Sequence, residues 1–149
     1  GYARALDASS LFNIAVAAEQ REAVRRQDFG DKIYTLRGSY ARALKSADVA
    51  TATLFASQFL SAYDGQSSVT FGGDVSYDIA RDFGPVNLTL AAGAYVSQFD
   101  GYTLASIEVP GGRQDSTGYV QIQMLFPDAE YSGFAPVLTL QLGEGETTP

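Results

Sequence analysis

The sequence predicts an all-β fold: an antiparallel up-and-down meander of about eight strands, closed as a β-barrel. Three observations carry that expectation. Long stretches alternate apolar and polar residues with period two, which places successive side chains on opposite faces of a strand. The five residues Tyr2-Ala3-Arg4-Ala5-Leu6 return as Tyr40-Ala41-Arg42-Ala43-Leu44, with a weaker copy at Ser76-Tyr77-Asp78-Ile79-Ala80. The repeat of about 38 residues suits two strands and their two connections. Finally, the implied connections alternate between short polar turns and longer loops.

Taken in order, residues 1–6 read as the end of a strand and 7–10 as a turn. From Leu11 the next strand sets Phe12, Ile14, Val16 and Ala18 against Asn13, Ala15, Ala17 and Glu19. Ala17-Ala18-Glu19-Gln20-Arg21-Glu22-Ala23 has helix propensity, but the matching segment of the next repeat is richer in Thr and Phe, so a strand is expected. Residues 20–31 read as a long charged loop. Ile33 to Leu44 forms a strand with Tyr34, Leu36, Gly38 and Tyr40 on one face and Thr35, Arg37 and Ser39 on the other. Lys45 to Asp48 turns the chain into a strand from Ala50 to Tyr63, and Asp64-Gly65-Gln66-Ser67 turns it again.

Val69 to Ile79 alternates most clearly. Val69, Phe71, Gly73, Val75, Tyr77 and Ile79 oppose Thr70, Gly72, Asp74, Ser76 and Asp78. After a turn over 80–85, Val86 to Phe99 follows the same rule. Asp100 to Ser116 is expected to be the longest connection, with Pro110-Gly111-Gly112 inside it. Thr117 to Phe126 and Ala135 to Leu142 complete the strands around a turn at Pro127–Gly133, and the tail 143–149 carries no periodic signal. Residues 1–149 thus form one barrel domain, or one segment of a larger barrel, and both ends look cut from a longer precursor.

Composition narrows the class. Charged residues make up 18% of the chain, below the ~25% of an ordinary soluble domain. The net charge of −7 argues against a nucleic-acid partner, because phosphate contacts need clustered Lys and Arg. The basic residues of 21–26 are interleaved with Glu19, Glu22 and Asp28. No Cys is present, which removes disulfides and thiolate metal sites, and no His is present, which removes imidazole ligands and His-dependent nucleophilic catalysis. No apolar run approaches the ~20 residues of a membrane-spanning helix.

The strands, at roughly 10–14 residues, are longer than the usual ~5–6 and match a tilted membrane strand. The polar face is mostly Thr, Ser, Asn, Gln, Gly and Asp, where the outward face of a soluble barrel is rich in Lys and Glu. An outer-membrane barrel is therefore expected, with lipid against the apolar face. Its wet lumen would be lined by Thr35, Arg37, Thr70, Asp74, Asn87, Thr89, Gln121 and Gln123. Tyr34, Tyr40, Phe71, Tyr77 and Phe126 could supply an aromatic girdle, with Arg4 and Arg42 snorkelling at the boundary.

No catalytic site, cofactor or metal is expected. Asp74 and Asp78 share a face but stand about 13 Å apart along one strand, too far to cooperate. Arg37 and Asp74 are expected to join a charge lattice inside the barrel. The glycine pairs lack the strand–loop–helix setting of a phosphate site, and the acidic loop residues lack Ca²⁺-loop spacing.

The segment Tyr131-Ser132-Gly133-Phe134-Ala135-Pro136-Val137-Leu138-Thr139-Leu140 resembles the Gly-Phe-Thr-Pro-x-Leu stretch near the C-terminus of surface lipoprotein assembly modifier proteins, carried here by Gly133, Phe134, Pro136 and Leu138. Ala135 stands where that stretch has Thr. Gly38 to Leu44 is similar to the strand ends of that family's barrel. The resemblance implies a Gram-negative outer-membrane barrel that helps lipoproteins or secreted proteins reach the cell surface. It also implies a larger barrel, because the family's helical repeat region and its last, aromatic-ended strand have no counterpart in this sequence. A passive porin, with the same residues lining a pore, is the alternative expectation. A soluble barrel binding a small ligand is the third.

Overall fold

The computed structural model describes residues 1–23, 26–62, 66–80, 83–104, 107–109 and 112–148. It contains β1 (Tyr2–Asp7), β2 (Ser10–Ala23), β3 (Arg26–Ala43), β4 (Val49–Leu60), β5 (Ser68–Ile79), β6 (Asn87–Phe99), β7 (Tyr102–Leu104), β8 (Ile107–Val109), β9 (Arg113–Leu125) and β10 (Val137–Thr148). Eight of them make one antiparallel sheet in the order β1-β2-β3-β4-β5-β6-β9-β10, and β7 pairs with β8 as a separate small hairpin. A single 3-10 turn at Pro127–Ala129 is the only helical element among the described residues. The all-β meander expected from the alternation is what the chain forms. The sheet has two free edges, because β1 pairs only with β2 and β10 only with β9.

Three expectations are corrected. Residues 20–31 do not form a loop: β2 runs on to Ala23 and β3 starts at Arg26, with Gln20 opposite Lys32 and Arg21 opposite Asp31. The last strand does not end at Leu142. Gly143 to Thr148 continues β10, pairing residue by residue with Tyr119 to Gln114. The connection 100–116 is shorter than expected, since β9 begins at Arg113 and β7 and β8 occupy part of the rest. In each case backbone pairing continues where side chains show no hydrophobic period, because ladder hydrogen bonds need only main-chain groups. The turns expected around Asp64-Gly65 and Pro110-Gly111 lie outside the described residues.

Short connections are fixed by local polar bonds. Asp7 Oδ1 accepts from the Ser9 backbone N–H at 2.7 Å and from Ser9 Oγ at 2.8 Å, closing the first turn. The Ser9 backbone N–H is the main cause that holds the Asp7 carboxyl below its usual range. In the turn between β3 and β4, Ala47 takes a left-handed φ of 68°, and Asp48 accepts from Ser46 Oγ at 2.7 Å.

Each of the next two copies of the repeat ties its tyrosine to the preceding strand. Tyr40 faces Phe12 across the ladder, and its hydroxyl donates to Ser10 Oγ at 3.2 Å. Tyr77 faces Ala50, and its hydroxyl donates to Asp48 Oδ2, while the Ala80 N–H donates to Oδ1 at 2.8 Å. In both cases the acceptor lies two residues nearer the short turn than the residue directly opposite. The acceptors are well covered, Ser10 at 6% and Asp48 at 9% exposure.

No hydrophobic side chain is buried among the described residues. The sheet is a single layer, and most of its aliphatic residues share one face. Val16, Leu36, Leu54, Phe71, Val75 and Val120 stand on that face, and all are more than half exposed. The opposite face is polar and more sheltered, and Thr53 on it is only 3% exposed.

Tyr77→Phe is expected to lower the denaturant midpoint of unfolding, because the Asp48 carboxylate loses a donor. Gly72→Ala is expected to cost about 1–3 kcal/mol, since its Cβ would stand 2.6 Å from Phe55 Cζ and from Tyr95 Cβ. Denaturant melts of both variants check this.

Candidate functional site

The polar face is organised in rows that cross the strands, because antiparallel partners always project to the same side. One row runs Thr35, Ser57, Thr70, Ser97, Asp115, Thr147 over six consecutive strands. Its hydroxyls bond one another: Thr35 Oγ1 lies 3.1 Å from Ser57 Oγ, and Thr70 Oγ1 lies 2.8 Å from Ser97 Oγ. Asp115 closes the row. It is bonded by the Arg113 guanidinium, which also stacks 4.9 Å from the centre of the Phe99 ring.

A second row runs Arg37, Phe55, Gly72, Tyr95, Thr117, and a third runs Ser39, Thr53, Asp74, Gly93, Tyr119. Here aromatic rings lie over glycines of the neighbouring strand. A Cβ on Gly72 would meet Phe55 Cζ at 2.6 Å, and one on Gly93 would meet Tyr119 Cζ and Oη at 2.7 Å. The missing side chain leaves room for the ring to lie over the sheet, so these glycines serve packing.

All eight residues expected to line a lumen fall on this one face. Thr35 and Thr70 belong to the hydroxyl row. Thr89 stands opposite Gln123, and its hydroxyl donates to Asp78 at 2.5 Å. Gln121 stands opposite Ala91, and Asn87 opposite Leu125 at the short-turn end.

Arg37 and Asp74 are not brought together. They are separated by β4 and one step of register, and neither has an ion pair or hydrogen bond among the described residues. Asp78 is held by Thr89, so the two aspartates of β5 do not act as a pair. Among the described residues no group of acidic side chains is arranged to hold a metal ion. Alternation sets Tyr95 on the polar side with Asn87 and Thr89, but it was not expected to line the site, and neither were Phe55 and Tyr119. Their signal was visible in principle, as large aromatics standing on the polar side of the alternation.

The other face carries the apolar residues. On β3 they run from Tyr34 to Tyr40, six rises of about 3.3 Å, or roughly 20 Å. The belt is flanked by Lys32 and Gln58 toward one end and by Arg4 and Arg42 toward the other. A groove of about 820 Å³ crosses its middle. Its floor is made by the small residues Gly38, Ala52, Ala56, Gly73 and Ala92, and Phe12, Leu36, Leu54 and Val75 form its walls.

Of the motif Gly133, Phe134, Pro136 and Leu138, the first three lie in the connection between β9 and β10. There Tyr131 and Phe134 form an isolated bridge, and Gly133 takes a φ of 85°. Leu138 starts the apolar face of β10, opposite Met124. The chain matches no family model, no curated protein and no solved structure.

Arg37→Ala and Asp74→Ala are each expected to move folding stability by no more than about 0.5 kcal/mol, since neither charge has a partner to lose. Arg113→Ala should cost roughly 1 kcal/mol through Asp115 and Phe99 together. Chemical denaturation of the three variants distinguishes the unpaired charges from the paired one.

Proposed function

We propose that the chain is a segment of an outer-membrane β-barrel of a Gram-negative bacterium, with lipid against its apolar face. The observation that carries this reading is the inverted alternation. The long strands send most of their aliphatic side chains to the face that nothing covers and most of their hydroxyls to the sheltered face, which also takes Phe55, Tyr95 and Tyr119. In water, each exposed Leu or Phe would cost about 1.5–3 kcal/mol relative to a covered one, so this face calls for an apolar environment. Strands of 12–18 residues in the middle of the sheet are long enough to cross a bilayer obliquely. The groove over Gly38 and Gly73 would seat an acyl chain. The sheet has two free edges, so closure into a barrel is part of this proposal.

Within that setting, the barrel assists translocation or surface display of lipoproteins or secreted proteins. Support for this step comes from the resemblance of Gly133, Phe134, Pro136 and Leu138, and from a polar face of hydroxyls and amides suited to a passing polypeptide. No covalent chemistry is assigned to the chain, which has neither His nor Cys. A passive porin is the second reading, favoured by the unpaired Arg37 and Asp74, which would set ion selectivity in an open pore. A soluble ligand-binding barrel would need another layer over the apolar face.

Phe71→Arg and Leu54→Arg are expected to lower stability by about 2–4 kcal/mol in lipid vesicles, the cost of a charge at mid-bilayer. Thr70→Arg on the polar face should change it little. A chain that is monodisperse in water without detergent, and equally tolerant of Arg on both faces, would sink the membrane reading. Loss of surface-exposed lipoprotein on deletion of the gene separates the translocation reading from the porin.

A further inference from the structure

We infer that the open edge of β1 docks one more unit of the repeat: an antiparallel β-hairpin whose second strand opens with a Ser, Thr, Asp or Asn that accepts a hydrogen bond from Tyr2. The three tyrosines Tyr2, Tyr40 and Tyr77 occupy the same place in the repeat, on the apolar face a few residues before a short turn. Two of them are tied. Tyr40 donates to Ser10 and Tyr77 to Asp48, each on the strand that precedes it, and each acceptor lies two residues turnward of the residue directly opposite. These acceptors are two of the four buried polar residues found among the described residues, so the tie is a built feature of the repeat.

Tyr2 has the same sequence neighbours as Tyr40 and the same orientation, but the strand that would carry its acceptor is on the free edge. It has no hydrogen bond among the described residues, and it is 59% exposed, against 37% for Tyr40 and 36% for Tyr77. The β1 edge therefore offers an unpaired row of backbone donors and acceptors together with one phenol set for a specific partner position.

A second copy of the chain does not supply that partner. Its free edges are β1 and β10. The even number of strands lets β10 of one copy run antiparallel to β1 of another with all short turns on one side. However, the start of β10 reads Ala135-Pro136-Val137-Leu138, which has no side-chain acceptor. Pairing β1 with β1 would invert one copy and set the short turns at opposite ends. The chemistry fits a hairpin built like β3–β4, whose second strand is preceded by Asp48. The inference depends on the repeat and the free edge, and it stands whether or not the apolar face meets lipid.

The chain has no cysteine, so a single engineered pair reports the register. In the sheet Ala50 faces Tyr77 and Val49 faces Asp78, so a docked β3–β4 hairpin would set Val49 opposite Ala3. The full chain carrying Ala3→Cys is mixed with a synthetic peptide of residues 33–60 carrying Val49→Cys. Mixing is done under mild oxidation in detergent micelles and, in parallel, in water, so that failure of the membrane reading leaves the edge tested. A disulfide is expected with this peptide and not with one carrying Phe55→Cys, which would lie out of register. Tyr2→Phe in the chain, or Asp48→Ala in the peptide, should each lower the yield about five-fold, the equivalent of one hydrogen bond, and the two together no further. Equal yields from the in-register and out-of-register peptides would overturn the inference. So would indifference to both substitutions, or a chain carrying Ala3→Cys that joins β10 of a Leu138→Cys copy in preference to the peptide.

Discussion

Everything in this structure depends on one constraint: the backbone ladder runs unbroken across eight strands, but nothing packs on the apolar face of the sheet. A conventional domain pairs a sheet with a second layer and gains most of its stability from the core between them. Here no hydrophobic side chain is buried among the described residues, although nearly half of the chain is hydrophobic. The ladder satisfies main-chain groups and the cross-strand pairs add increments of a few tenths to about 1 kcal/mol each, but neither supplies a core. The covering must come from the surroundings. The bilayer proposed above would supply that covering, and it would fit a face on which Tyr34, Leu36, Gly38 and Tyr40 carry no charge while Lys32 and Arg42 flank them.

The same constraint shapes the polar face. Polar residues gathered on one sheltered face must be satisfied there, and the hydroxyl row from Thr35 to Thr147 does this with short side chains on adjacent strands. That face must also hold large rings without overfilling. Glycine and ring alternate for that reason: Gly72 lies beneath Phe55 and Gly93 beneath Tyr119, so bulk on one strand is matched by its absence on the next. Arg37 and Asp74 stand apart in this arrangement, as charges on the polar face with no ion-pair partner among the described residues.

Much of this was legible in the sequence where one face is apolar and the other is not. Val69 to Ile79 alternates without error, and the faces assigned to Thr35, Arg37, Thr70, Asp74, Asn87, Thr89, Gln121 and Gln123 follow from counting by two. The failures share a cause. At Gln20, Arg21 and Glu22, and again at Glu144 and Glu146 between glycines, both faces are polar or bare, so the hydrophobic period vanishes while the main chain goes on pairing. The expected Arg37–Asp74 lattice failed for a different reason. Sharing a face fixes the side of a residue and says nothing of its row, and these two sit in different rows on strands that do not touch.

The repeat that first marks the sequence is better understood as a joint than as a strand. Its tyrosine crosses to the strand before it and locks onto the residue at the mouth of the previous short turn, so each unit fixes the register of its predecessor. Register is the weak point of long strands rich in glycine and alanine, because a slip by two keeps every face correct and is not penalised by the hydrophobic pattern. A hydroxyl that must meet one particular Ser10 or Asp48 penalises that slip directly. This accounts for the tie in the units of Tyr40 and Tyr77 and for the burial of its acceptors in a molecule that buries little else. On the inference drawn above, Tyr2 is the half of such a joint whose partner strand would sit on the β1 edge.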